Sequence, residues 1–210
     1  MTKNHASIFL EFNSVFSGIA RLVFLWMIVA AFIEIIMAVN VKAENDTKSI
    51  FGSNANISTG ERVYSSDKSI SIFAPKGWIV DSNPAQKGVK LFIQSPKENS
   101  NDKFQELVYI NEDFLPNTTS LDYYIKYTLS QMKNMYANFS LEKESDDEVN
   151  MHKAKKFIMS FDMYGVRGKS ISYVTENNRT AYAIQAWMLE STYESWHAQM
   201  DQICQSVRFH

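Results

Sequence analysis

Beyond residue 60 the apolar side chains recur first every second position, then at helical spacing, then every second position again. Ile70 and Ile72 alternate with Ser69 and Ser71, the beat of a half-buried strand. Pro75 has no N–H to give a ladder, and "APKG" (74–77) suits a type I turn with Pro second and Gly fourth. Trp78 then re-enters as a large apolar anchor, a packing role that outweighs ligand stacking. Val89, Leu91 and Ile93 give a second strand, and "ELVYI" (106–110) reads as a central strand covered on both faces.

A helix follows. Thr119 and Asp122 have capping-box spacing, and Leu121, Ile125, Leu129, Met132 and Tyr136 form one stripe. The segment 141–150, "LEKESDDEVN", is an acidic strand and turn. Phe157, Met159, Phe161 and Met163 alternate, "YGVRG" reverses the chain, Ile171, Tyr173 and Thr175 run back, "ENNR" turns again, and 181–189 is a third long strand. These three make an antiparallel meander. Ser191 and Glu194 repeat the capping-box spacing before a last helix with Tyr193, Trp196, His197, Met200, Ile203, Cys204 and Val207 on one face. The pattern predicts an α+β fold: an antiparallel β-sheet with helices packed on it, an α/β/α layer sandwich.

The N-terminal region has a different character. Arg21 precedes an apolar run, and Val41 and Ala43 stand three and one positions before a signal-peptidase cut. The expectation is a signal peptide over 1–43 cleaved after Ala43, a flexible arm over 44–60, and one domain over 61–210. The competing expectation is an uncleaved N-terminal anchor, since residues 22–39 nearly span a bilayer; Glu34 weighs against it at roughly 3 kcal/mol for a carboxylate near mid-membrane. Either way the domain faces outward, in the periplasm or secreted, with membrane contact only through an uncleaved leader.

Composition narrows the chemistry. The chain has 210 residues and a formal charge of -2, so no basic field exists for nucleic acid. The leader contributes Lys3, Arg21 and Lys42 against Glu11 and Glu34, so its removal takes the charge to -3. The one cysteine, Cys204, excludes an internal disulfide. Asn45, Asn56, Asn117, Asn138 and Asn178 each begin an N-x-[ST] triplet, which an Asn- and Ser-rich chain also produces by chance.

Catalytic signatures are sparse. "GVRGKS" (165–170) imitates a P-loop tail, but Met163 stands where Gly is needed and the context is a hairpin, so Gly165 and Gly168 read as turn residues. Of the histidines, His5 lies in the leader and His210 is last. His197 and Cys204 are seven apart, too far for a Cys–His nucleophile pair and too few for zinc. Glu142, Glu144, Asp146, Asp147 and Glu148 lack the glycine and spacing of a calcium loop. No catalytic or metal residue and no cofactor is expected.

The "FAPKGW" corner, the strand "LVYINEDF", the helix opened by "TTSLDYYIKYTL", the meander, and the closing helix ending in "SVRF" together resemble the PsbP-type domain shared with DcrB-like bacterial envelope proteins. The resemblance covers roughly residues 60–210. It implies a non-catalytic module that assembles or stabilises larger membrane complexes, with a protein partner. Lipoprotein members carry a cysteine at the cleavage site, which this chain lacks. The function expected is therefore an exported binding or assembly module acting by protein–protein contact. The rival is a small ligand carrier or hydrolase whose groups converge from separate strands, such as His152, Asp113 and tyrosines.

Overall fold

The structure, a computed structural model, describes residues 59–100, 104–163 and 165–210. The cleavage position Ala43 and the leader lie outside these residues. The elements are β1 (Gly60–Tyr64), β2 (Ile70–Pro75), β3 (Ile79–Asp81), β4 (Val89–Gln94), β5 (Leu107–Phe114), α1 (Leu121–Met135), β6 (Ala137–Val149), β7 (His152–Met163), β8 (Val166–Asn177), β9 (Thr180–Leu189), a 3-10 turn (Glu190–Thr192), α2 (Tyr193–Gln205) and β10 (Arg208–Phe209). A seven-stranded sheet has the order β3-β4-β5-β9-β8-β7-β6, and β1-β2-β10 form a smaller one. Every pairing is antiparallel.

The large sheet separates two apolar cores. On one face α2 buries Trp196, Met200, Ile203 and Cys204 against Ile110, Ile171, Ile184 and the β2 residues Ile70 and Ile72. On the other α1 buries Tyr124, Ile125 and Met132 against Tyr109, Phe157, Met159 and Trp187. The layers are thus helix, large sheet, and a third layer that α2 shares with the small sheet. Alternation along β5 serves both cores, Val108 and Ile110 on one side and Leu107 and Tyr109 on the other, as its unbroken apolar run requires.

Local chemistry shifts several expected boundaries. The corner turns one residue later than "APKG" suggests: Pro75 is the last residue of β2, its carbonyl accepts from the Trp78 N–H at 3.2 Å, and Gly77 sits at φ +87°. A left-handed third residue is what Gly supplies and a type I turn does not need. Ser120, not Thr119, caps α1, accepting the Tyr123 N–H, so Asp122 is not the reciprocal partner. The Ser191–Glu194 box does not form; a 3-10 turn precedes α2, and the Thr192 hydroxyl instead donates to Glu106 Oε1 at 3.1 Å. Gly165 is a turn residue at φ +78°, but Gly168 lies inside β8, opposite Phe161 and Leu189.

The meander has four strands, because the acidic segment pairs with β7 along most of its length. Two tight hairpins join it, each with both central residues at positive φ: Asn150 (52°) with Met151 (65°), and Asn178 (50°) with Arg179 (62°). Such turns match the twist of the strands they join. They bring the ends of β6, β7, β8 and β9 to one edge of the sheet, where β5 also ends.

Candidate functional site

That edge carries three of the exposed large apolar side chains, Phe114, Met151 and Tyr64, together with one group of aromatic rings, whereas Ile79, Leu141 and Val166 stand at the opposite end of the sheet. Strand register puts Phe114, Thr180 and Asn177 in one row, with Glu112, Tyr182, Thr175 and Ala154 in the next row inward. Tyr182 and Ala154 belong to the α2-side core, so both rows face that side. The terminal strand lies over them. The Phe209 ring sits 4.6 Å from Tyr182 and 5.3 Å from His152, edge-on to the imidazole. In the small sheet Tyr64 meets His210 at 5.5 Å. Phe114 is 72 % exposed, Met151 at the β6–β7 hairpin tip 88 %, and Tyr64 45 %.

An ion-pair clamp fixes one wall of this rim. Lys90 Nζ lies 2.6 Å from Asp67 Oδ2, on the β1–β2 turn, and 2.8 Å from Glu112 Oε1. The hydrogen bond from Lys90, then that from Ser65, holds the Asp67 carboxyl well below the usual carboxylate range. Burial opposes the Lys90 charge, but its bonds to Asp67 and Glu112 raise it overall. Burial, with the Glu112 charge opposite, pushes the Tyr182 phenol up. Ser71 Oγ sits 2.8 Å from His210 Nε2 and accepts from Arg62 at 3.1 Å, and Arg62 also reaches the Ser206 carbonyl at 3.0 Å. His210 is therefore a bonded part of the rim.

The lysine reaches both partners because of a β-bulge. Register shifts between Val89 and Leu91, leaving Lys90 as the extra residue. Val89 turns toward α1, while Leu91 and Ile93 face α2.

The groups named for a catalytic alternative are not brought together. Asp113 accepts from the Tyr124 hydroxyl at 2.9 Å on the α1 side, whereas His152 stands opposite Val149 on the α2 side. Cys204 is fully buried and its thiol is pushed up by that burial; His197 stacks on Tyr193 at 5.1 Å on the outer part of the same helix. The acidic run lies on the edge strand β6, with Glu142 bridged to Lys169 at 2.8 Å and Asp146 to Lys155 at 2.7 Å. Among the described residues no group of three His, Cys, Asp or Glu side chains could hold a metal ion. Nor is any described helix long and apolar enough to cross a membrane.

Sequence reasoning found His152 but not the company it keeps. Tyr182 carries an alternating-strand signal that reads only as core, Phe209 reads as the end of the closing helix, and the ion-pair clamp has no local signal, since Asp67, Lys90 and Glu112 are distant in sequence.

Neither a protein-family model nor a curated protein sequence matches the chain. Solved structures do. A cyanobacterial PsbP, CyanoP from Synechocystis, superposes with a TM-score of 0.54 at 12 % identity, over 80 % of this chain and 99 % of that one. LpqN, involved in cell envelope biogenesis of Mycobacterium tuberculosis, gives 0.53 at 11 %, over 71 % and 89 %. The Ran-binding protein Mog1p of Saccharomyces cerevisiae gives 0.51 at 8 %, over 72 % and 95 %. Identities this low establish architecture alone: the domain has the PsbP-like α+β fold.

Proposed function

We propose that this chain is an exported, non-catalytic binding or assembly module of the cell envelope, a divergent relative of the PsbP-like and DcrB-like proteins, and that the aromatic rim is its protein-docking surface. One observation carries the reading. Phe114 and Met151, 72 % and 88 % exposed, stand on the same sheet edge as a ring cluster built from β1, β7, β9 and the C-terminal strand. Large apolar side chains collected at one end of a sandwich are what a partner covers, whereas scattered ones mean nothing. The leader pattern supports export, and the likeness to an envelope-biogenesis protein is in keeping with it.

The rim is also rigid where it needs to be. The Lys90 clamp and the Arg62–Ser71–His210 bonds hold the β1–β2 turn and β10 in place before any partner arrives, which limits the ordering cost of binding. The test is affinity capture from membrane-envelope extract with the full chain and with the Phe114→Ser, Met151→Ser double variant. A specific partner retained by the first and lost by the second is expected. An identical set of captured proteins from both would overturn the assignment of the rim.

A further inference from the structure

The face of the large sheet beneath α1 holds polar groups where a core would ordinarily be apolar. Tyr109, Gln185 and Ser172 stand side by side on β5, β9 and β8. The Tyr109 hydroxyl donates to Gln185 Oε1 at 3.0 Å, and the Trp187 indole N–H reaches the same oxygen at 3.4 Å. Asn111 Oδ1 and Ser172 Oγ, on residues each 3 % exposed, are buried with no hydrogen-bond partner. Such orphaned atoms are costly unless something reaches them.

Small residues leave the room. Ala183 on β9 leaves a gap under the helix, and a cavity of about 20 Å3 lies between Tyr124, Thr128, Ser172, Ala183 and Gln185. That volume admits one water, which needs roughly 10–15 Å3. The helix above is the lighter of the two covers: of its fifteen residues only Tyr124, Ile125 and Met132 are buried.

Asp113 stands at the end of this seam, half-buried, its Oδ2 accepting from the Tyr124 hydroxyl. Glu112, the neighbouring charge, is on its own strand. Ala181, opposite on β9, brings none, and the Arg179 guanidinium reaches the carbonyls of Leu115, Pro116 and Thr119 and Glu176 through its terminal nitrogens, its Nε being buried without a partner and none of these contacts including Asp113. No cation in these contacts compensates a carboxylate there.

We propose that α1 is a proton-tightened cover: with Asp113 neutral the carboxyl stays dry beneath the helix, and with Asp113 ionised its demand for hydration, which the single Tyr124 bond does not meet, draws water into the seam and the helix loosens. Burial, reinforced by the Glu112 charge and only partly offset by the Tyr124 hydroxyl, raises the Asp113 carboxyl to about 6, which places the transition in a mildly acidic window. The rim is a separate device, because Phe114, next in the chain, points to the other face. Acid control of α1 therefore stands or falls apart from docking.

Hydrogen exchange on the full chain tests this, comparing pH 5.0 with pH 7.5 after correction for intrinsic rates. Protection of the α1 amides is expected to fall about tenfold at the higher pH, the ratio set by a two-unit difference between closed and open helix, while β8 and β9 hold steady. In Asp113→Asn the fall should vanish. Equal α1 protection at both pH values, or an undiminished fall in Asp113→Asn, overturns the proposal. So does a direct carbon-13 titration that finds Asp113 in the ordinary carboxylate range.

Discussion

Trp78 meets Trp196 edge to face, ring centroids 6.1 Å apart at 68°, so the residue that follows the Pro-Lys-Gly corner is locked to the first turns of the last helix. The indole of Trp196 is tied in turn to Glu98 Oε1 at 3.2 Å. The corner thus joins the two ends of the domain. Trp78→Ala should lose about 3–5 kcal/mol in urea unfolding, the range for removing a buried aromatic. Ile79→Thr, next along but 54 % exposed, should stay within about 0.5 kcal/mol. Similar losses for both would mean that the indole pair is not what holds the corner.

Much of the architecture was legible, and the reasons differ by element. Side-chain period alone places β5, the strands β7 to β9 and both helices, because each presents an apolar stripe to a core; β6 presents none, Val149 being the one buried residue of its thirteen. The stripe of α1 omits Tyr124, although three residues past Leu121 it lies on the same face, and its hydroxyl anchors the helix to Asp113. The bulge at Lys90 has no signal at all: Val89, Leu91 and Ile93 alternate perfectly in sequence, yet Val89 faces the opposite core. Capping patterns point to the right turn of the helix and miss by a residue, since Thr119, Ser120 and Thr118 are equivalent in composition and only the backbone decides which one accepts an N–H.

Asp113 makes stability fall as pH rises. Its folded carboxyl is raised from 3.8 to about 6, so the native state holds a proton that the unfolded chain has released across that interval. The native state is therefore favoured below the ordinary carboxylate range and loses that advantage progressively up to and past pH 6. Each unit is worth about 1.4 kcal/mol, so Asp113→Asn should stabilise the protein at pH 7.5 by about 2–3 kcal/mol and do little at pH 4. Denaturant midpoints of both proteins at the two pH values measure it. A variant no more stable at pH 7.5 than at pH 4, relative to wild type, would refute the assignment.

The Lys90 clamp has the opposite sign. Asp67 is held ionised by Lys90, so its stabilisation is present above the ordinary carboxylate range and disappears as pH falls through the lower, folded value. Asp67 is 45 % exposed, which limits the contribution. Lys90→Met keeps the stem and should lose about 1 kcal/mol at neutral pH and low salt, shrinking in 1 M salt. Thermal melts at two ionic strengths read it, and a salt-independent loss would assign the effect to packing instead.

Three glycines separate two physical reasons for the residue from a position that needs neither. Gly77 sits at φ +87° with nothing within 4 Å of an added Cβ, so its requirement is purely conformational. Gly77→Ala should cost about 1–2 kcal/mol with no change in surrounding packing. Gly60 has no positive φ, but a Cβ there would stand 2.4 Å from the Ala74 carbonyl oxygen. Gly60→Ala must push β1 away from β2 and should cost about 1–3 kcal/mol, with exchange accelerated in β1. Gly168 has neither constraint: its Cβ would meet Phe161 Cε2 at 3.4 Å, an ordinary contact, so Gly168→Ala should change stability by no more than about 0.5 kcal/mol. A large loss at Gly168 together with tolerance at Gly77 would mean that the "GVRGKS" hairpin, rather than the Pro-Lys-Gly corner, imposes the stricter backbone, and the corner would then lose its place as the device that fixes Trp78.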